Sequence, residues 1–382
     1  MSRLNVMVPF LGEEEVEAVA EVLRSGWVAQ GPRVAAFEQA FAGVMEAQHA
    51  VATSSCTTAL QLALRVVGVG PGDEVVVPSF SFIATTNAVV HAGATPVFAD
   101  VDAVTGNLTT ETVAGALSRR TRAVIVVDQA GVPVDLEAVR AICDPRGVTV
   151  VEDAACAAGS TYRGRPVGAG AEIAAWSFHP RKILTTGEGG MLTTAHADWA
   201  ERARRLREHA MSASAADRHG QVLAPAESYG EVGFNFRMTD LQAAIGLVQL
   251  ARLPEIVERR RTLAGTYAKY IDEIPELRAV ADPPWGTCNF QSFWVEVAPS
   301  SPVTRDGLLA RLARAEISAR RGIMSTHRQP PYAHLSTPGS LPVTERLTDH
   351  TLILPLFHQL DESEQARVIA VLHSARDAEV RR

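Results

Sequence analysis

The feature that most limits the fold is an alternation between residues 74 and 153. Short β-branched runs at Glu74–Val77, Pro96–Ala99, Ala123–Val127 and Val148–Glu152 are separated by helix-patterned segments at Ala84–His91, Thr110–Leu117 and Leu136–Cys143. A run such as Ala123-Val124-Ile125-Val126-Val127 has no polar side to offer water, so it belongs in a sheet covered on both faces. Strands and helices in turn predict an α/β fold with a largely parallel sheet. Ligands of such sheets gather at the carboxyl ends of the strands. Asp153 lies there, directly after Val148–Glu152.

The second constraint is chemical. Of the 36 basic residues only Lys182 and Lys269 are lysines. Arginine stays charged near neutral pH and cannot form an imine, whereas lysine can. Lys182 follows the apolar run Ile173–Phe178 and precedes a Gly-rich turn, while Lys269 sits between Tyr267 and Tyr270 in a helical pattern and reads as a snorkelling surface residue. A net charge of −7 gives no basic surface for nucleic acid or an anionic membrane. No apolar run has membrane-spanning length, and Cys56, Cys143, Cys156 and Cys288 make neither a disulfide framework nor a CxxC pair. A cytoplasmic location is the expectation.

Elsewhere the periodicity predicts helices over 12–25, through Val34, Phe37, Phe41 and Met45, and over 59–67, 239–250, 253–271, 308–316 and 362–373. Phe290–Val297 and 352–355 read as strands, and 200–232 carries no strong pattern. Length predicts more than one domain; the change in pattern places a boundary near residue 250, giving a large domain over 1–250 and a smaller C-terminal α+β domain over 251–382.

The cluster Ala52-Thr53-Ser54-Ser55-Cys56-Thr57-Thr58 opens a helix. Backbone N–H groups and hydroxyls at a helix N-terminus suit a phosphate, though the same residues also serve as ordinary N-caps. An isolated lysine, a carboxylate at a strand end and a donor-rich cradle are together what pyridoxal phosphate requires. Its aldehyde needs an amine, its ring nitrogen an acid, and its phosphate a set of donors; Lys182, Asp153 and Thr57 with Thr58 fill those roles.

The segment SFHPRKILTTGEGG around Lys182 resembles the corresponding segment of the DegT/DnrJ/EryC1/StrS family, sugar aminotransferases of fold type I. SGWVAQGPRVAAFEQAFA, GVGPGDEVVVPSFSFIATTNAVVHAGATPVFADVD, VVEDAA and GFNFRMTDLQAAIGLVQL match in the same order, over nearly the whole chain. The resemblance implies that Lys182 carries the cofactor, Asp153 faces its pyridine nitrogen, Phe82 stacks on its ring, and Thr57, Thr58 and Ser177 hold its phosphate. Asn235 matches a residue that reaches the phosphate from a neighbouring subunit, which implies a homodimer with shared sites. Trp27, Arg237 and His327 are candidates for the substrate side, and His179 reads as structural.

Two positions depart from the family pattern. Cys56-Thr57 stands where Gly-Thr is usual, and Cys156 where Gln or His is common near the cofactor's phenolic oxygen; either thiol also suits packing as a small hydrophobe. The implied activity is transfer of an amino group from glutamate or glutamine to a nucleotide-linked keto-deoxysugar. Amination of a keto-cyclitol such as scyllo-inosose, or a cofactor-dependent sugar dehydration, is the alternative, although dehydratases of the family replace the lysine with histidine. Neither a helix-turn-helix pattern nor a basic patch supports a regulatory role on this scaffold.

Overall fold

A computed structural model of the chain describes residues 3–212 and 226–377. Among the described residues, nine strands lie in the first half: β1 (His49–Thr53), β2 (Glu74–Pro78), β3 (Thr95–Ala99), β4 (Thr121–Val127), β5 (Thr149–Asp153), β6 (Thr161–Tyr162), β7 (Arg165–Pro166), β8 (Ile173–Ser177) and β9 (Gly190–Thr194). Seven of them form one sheet in the order β1-β9-β8-β5-β4-β2-β3. β8, β5, β4, β2 and β3 run parallel, and β9 alone is antiparallel to both of its neighbours.

Successive residues of a strand face opposite sides, and here each side has its own apolar layer. Val76, Val124, Val126 and Val150 join one core with Phe37, Phe41, Ala243 and Leu250. Val75, Val77, Ala123, Ile125 and Val151 join the other with Ala59, Leu60 and Ala63. The unbroken apolar reading of β4 thus reflects a strand buried on both faces. On the first side the helices Pro32–Val44 and Asp240–Ala251 pack closely because Gly246 has no side chain; a Cβ there would lie 2.7 Å from the Phe37 ring. Asp240 also locks the first helix: its carboxylate accepts the N–H groups of Gly31, Arg33 and Val34 at 2.8–3.0 Å.

The second half builds a four-stranded antiparallel sheet, β10-β12-β14-β13, from β10 (Leu277–Ala279), β12 (Phe293–Val297), β13 (Arg320–Arg321) and β14 (Thr351–Leu354). The intervening β11 (Gly286–Thr287) instead pairs with β6 of the first half, and Leu4 bridges to Ile317. Arg260, buried in the helix Leu253–Ile271, donates to the carbonyls of Phe290, Gln291 and Leu356 at 2.7–3.0 Å. It thereby fixes the chain that brings Gln291 to the site described below.

Three expectations change. The stretch 200–232, read as patternless, begins inside an amphipathic helix, Ala197–Leu206; its residues 213–225 lie outside the described residues. The strand expected from Phe290 starts at Phe293, because Phe290 has a left-handed φ of 52°. The helix expected from Ala59 starts at Cys56, capped by Ser55. No helix among the described residues is long and apolar enough to cross a membrane.

Behind the sheet Asp128 and Glu152 are buried together. Asp128 Oδ1 accepts the Val134 N–H at 2.9 Å, but Asp128 Oδ2 and Glu152 Oε2 have no partner among the described residues. Burial pushes Glu152 up to about 7, and burial followed by repulsion from Glu152 pushes Asp128 well up. An acid whose folded value lies above its unfolded one, about 4.3 for Glu, weakens the fold as pH rises between the two. Glu152→Gln is therefore expected to stabilise the protein above pH 7, on the order of 1–3 kcal/mol. It is also expected to flatten the fall in stability between about pH 4.3 and 7. Urea midpoints measured across pH test this; an unchanged profile would contradict it.

Candidate active site

The carboxyl ends of β4, β5 and β8 open into a cavity of about 460 Å³, lined by Cys56, Thr57, Phe82, Asp153, Cys156, Ser177 and Lys182 among others. Asp153 is the last residue of β5 and is only 4% exposed. Its Oδ2 accepts from Thr85 Oγ1 at 2.8 Å and its Oδ1 from the Ala155 N–H at 3.2 Å. Burial pushes the Asp153 carboxyl up, with Thr85, Lys182 and Ala155 pulling it back. A buried carboxylate in this position gains from a cation placed against it.

Lys182 follows β8 on a loop tied at both ends. Its N–H donates to the His179 carbonyl at 2.8 Å. Gln291 accepts the Ile183 N–H at 2.9 Å and donates to the Arg181 carbonyl at 2.6 Å, so a side chain from the second half clamps the lysine's neighbours. The Nζ donates to Cys156 Sγ at 3.0 Å. Burial opposes the charge on Lys182, but Cys156, Cys56 and Asp153 outweigh it and hold the amine above its ordinary value. The loop's exit presses on the helix Cys56–Val66: a Cβ on Gly190 would fall 2.4 Å from the Ser55 carbonyl carbon, so only glycine permits the contact.

At that helix N-terminus the Ser55 hydroxyl accepts the Thr58 N–H at 3.2 Å, and Thr58 Oγ1 accepts the Ser55 N–H at 3.1 Å. This capping box occupies the Thr58 side chain, which does not line the cavity. The first N–H groups, at Cys56 and Thr57, have no carbonyl one turn back to bond. They and the Thr57 and Ser177 hydroxyls make an anion cradle without a basic side chain. An amine, a buried carboxylate and that cradle, arranged around one cavity of about 460 Å³, are the donor set that pyridoxal phosphate needs, and the residues fit it.

Asn235 and the three residues expected on the substrate side lie outside this cavity. Trp27 packs over Gly31 and donates its indole N–H to the Gln30 carbonyl at 3.0 Å. Arg237 lies 4.0 Å from Glu208, and the exposed Asn235 bridges to Glu208 through its backbone. His327, expected toward substrate, is a buried histidine with both ring nitrogens engaged, Nδ1 to Ser79 Oγ at 2.6 Å and Nε2 to Glu345 at 3.3 Å. His179, expected to be structural, does line the cavity, with Nδ1 accepting the Arg181 N–H at 3.1 Å.

Thr85, Gln291, Arg181, Arg320 and Arg321 were not expected at the site. Thr85 lies within one of the family-like segments, but its bond to Asp153 spans 68 residues and has no local signature. Arg320 and Arg321 leave no sequence signal among so many arginines.

The chain matches the model of the DegT/DnrJ/EryC1/StrS aminotransferase family over residues 9–373. Among solved structures, the aminotransferase TlmJ from Streptoalloteichus hindustanus is 39% identical with a TM-score of 0.90, covering 99% of this chain and 100% of that one. DesV from S. venezuelae is 35% identical with a TM-score of 0.89, covering 98% of each chain. The PLP-form of Spr1654 from Streptococcus pneumoniae is 26% identical with a TM-score of 0.91, covering 98% of this chain and 99% of that one.

Proposed function

Because the chain belongs to the DegT/DnrJ/EryC1/StrS aminotransferase family and is a pyridoxal-phosphate-dependent aminotransferase, we propose that it aminates a keto-deoxysugar carried on a nucleoside diphosphate, with glutamate or glutamine as donor. When bound, the cofactor would supply an imine-forming aldehyde and an electron-accepting ring. Lys182 Nζ anchors the cofactor and, once free, holds the proton taken from the donor's α-carbon; such proton transfer contributes roughly 10²–10⁴-fold to rate. Asp153, buried at the end of β5, would keep the ring nitrogen protonated. Cys56 and Thr57 N–H groups, with the Thr57 and Ser177 hydroxyls, would hold the phosphate, and Phe82 would cover the ring. Cys156, beside Lys182, would border the ring.

Thr58 supports the cradle by capping its helix. Asn235, exposed and outside this chain's cavity, is proposed to reach the phosphate of a partner subunit in a homodimer with shared sites. Trp27 and Arg237 are kept as substrate-side residues on the same dimer reading. The proposed division at 250/251 puts Lys182 on the first domain and Arg320 on the second, so that the substrate enters between them.

The observation that carries the nucleotide-linked substrate is the charge at the cavity's mouth. Arg181 and Arg320 line it, and neither meets a carboxylate among the described residues, whereas Arg321 pairs with Asp306 at 3.1 Å. Two uncompensated guanidiniums in a chain of net charge −7 suit the diphosphate of a carrier, and a free keto-cyclitol brings no charge to meet them. Lys182 itself speaks against a dehydratase. Arg181→Gln and Arg320→Gln are each expected to raise KM for a nucleotide-linked ketosugar about 10-fold, the effect of one lost charge-assisted contact, with kcat little changed. Steady-state kinetics on nucleotide-linked ketosugars and on scyllo-inosose test this. Unchanged KM values together with faster turnover of scyllo-inosose would overturn the substrate reading.

A further inference from the structure

One thiol, Cys56, lies beside the Asp153 carboxylate, and a second, Cys156, meets the amine. Cys56 Sγ is 3.9 Å from Asp153 Oδ1, and Cys156 Sγ is 3.0 Å from Lys182 Nζ. The backbone of both members of the second pair is held in place. The Cys156 carbonyl accepts from Asn289 Nδ2 at 2.8 Å, and the turn that carries it closes with an Ala157 N–H to Ala154 carbonyl bond at 2.9 Å. The lysine loop is held by Gln291. Both side chains line a cavity wide enough for small solutes to enter. A nucleophilic amine held against an oxidisable sulfur has the advantage of an intramolecular reaction.

We infer that Cys156 and Lys182 are an oxidisable pair, joined through a sulfur–nitrogen bond when a hydroperoxide enters the cavity while the lysine amine is free. Sγ attacks the peroxide; the O–O bond breaks, an S–O bond forms, and the thiol proton leaves with the departing hydroxide as water, giving a sulfenic acid. Oxidation of Cys156 removes its share in holding the proton on Nζ, burial favours the neutral amine, and unprotonated Nζ attacks the sulfur. The S–N bond forms, the S–O bond breaks, and the hydroxyl leaves as a second water with a proton from the amine. Sulfur is oxidised by two electrons and hydrogen peroxide is reduced to water. The product lacks two hydrogen atoms relative to the reduced side chains, and a thiol reductant restores both. A joined lysine cannot anchor the cofactor, and a lysine carrying the cofactor has no amine to give. The site therefore converts oxidation into reversible loss of cofactor binding, whichever sugar is aminated.

The test uses full-length protein freed of cofactor, treated with hydrogen peroxide and mapped by mass spectrometry. The expected result is a joined pair of peptides bearing Cys156 and Lys182, lighter by two hydrogens, with pyridoxal phosphate binding lost and then regained after dithiothreitol. The link is expected to persist in Cys56→Ala, which separates it from a disulfide. It is expected to be absent when borohydride has first fixed the cofactor to Nζ. A Cys56–Cys156 disulfide, or Cys156 passing to sulfinic acid in the cofactor-free protein with Lys182 unmodified, would overturn the inference. Neither outcome would touch the aminotransferase assignment, which kinetics on untreated enzyme reads separately.

Discussion

Lys182→Ala is expected to leave a folded, colourless protein with transamination reduced at least about 10³-fold, the scale of a lost proton-transfer group. The loop around Lys182 is held by Gln291, the His179 carbonyl and the Gly189 contact with Phe178, none of which uses the lysine side chain. The fold therefore survives the substitution, and circular dichroism should be unchanged. Lys182→Arg is expected to be no better. It keeps the positive charge beside Cys156 and Asp153, but a guanidinium neither forms an imine nor gives up its proton near neutral pH. A rescue by arginine would mean that the charge at this position matters and the amine does not. Measured kcat for both variants separates the two.

Asp153→Asn carries the second large effect, and it works in opposite directions on two readouts. Asparagine keeps the shape and can still accept from Thr85, which donates at 2.8 Å, but it cannot hold a proton on the cofactor's ring nitrogen. Turnover is expected to fall roughly 10²–10³-fold, as for other losses of a fixed charge-stabilising group. Cofactor-free protein is expected to become more stable at neutral pH. The Asp153 carboxyl lies above its ordinary value because of burial, so its ionisation weakens the fold as pH rises through that value. A carboxylate that destabilises the empty protein and serves the loaded one marks a site built for a cation. Thermal midpoints with and without pyridoxal phosphate, alongside kcat, check both halves; a variant equally active and equally stable would refute the role.

What the sequence shows best is what neighbours in the chain decide. The helices Ala84–His91, Leu136–Cys143 and Leu253–Ile271 are read at their observed bounds, since apolar periodicity and their ends are local. β9, by contrast, is buried at every residue but follows a Gly-rich turn and pairs antiparallel within a parallel sheet. Its strand character comes from β1 and β8 on either side. The helix Ala197–Leu206 hides behind its arginines, because only Ala200, Ala203 and Leu206 face inward. At the site, Lys182 and Asp153 are legible because few side chains do their chemistry. The clamp from Gln291, the bond from Thr85 to Asp153 and the open guanidiniums of Arg181 and Arg320 are products of folding. His327 shows the converse: a reactive residue type, expected on the substrate side, that the fold engages through Ser79 and Glu345.

The most direct test of the account is to reduce the purified, yellow protein with borohydride and locate the pyridoxyl group by peptide mapping. Modification of Lys182 alone is expected, with Lys269 untouched and the visible absorbance lost. A pyridoxyl group on Lys269, or none on a protein that still transaminates, would contradict it.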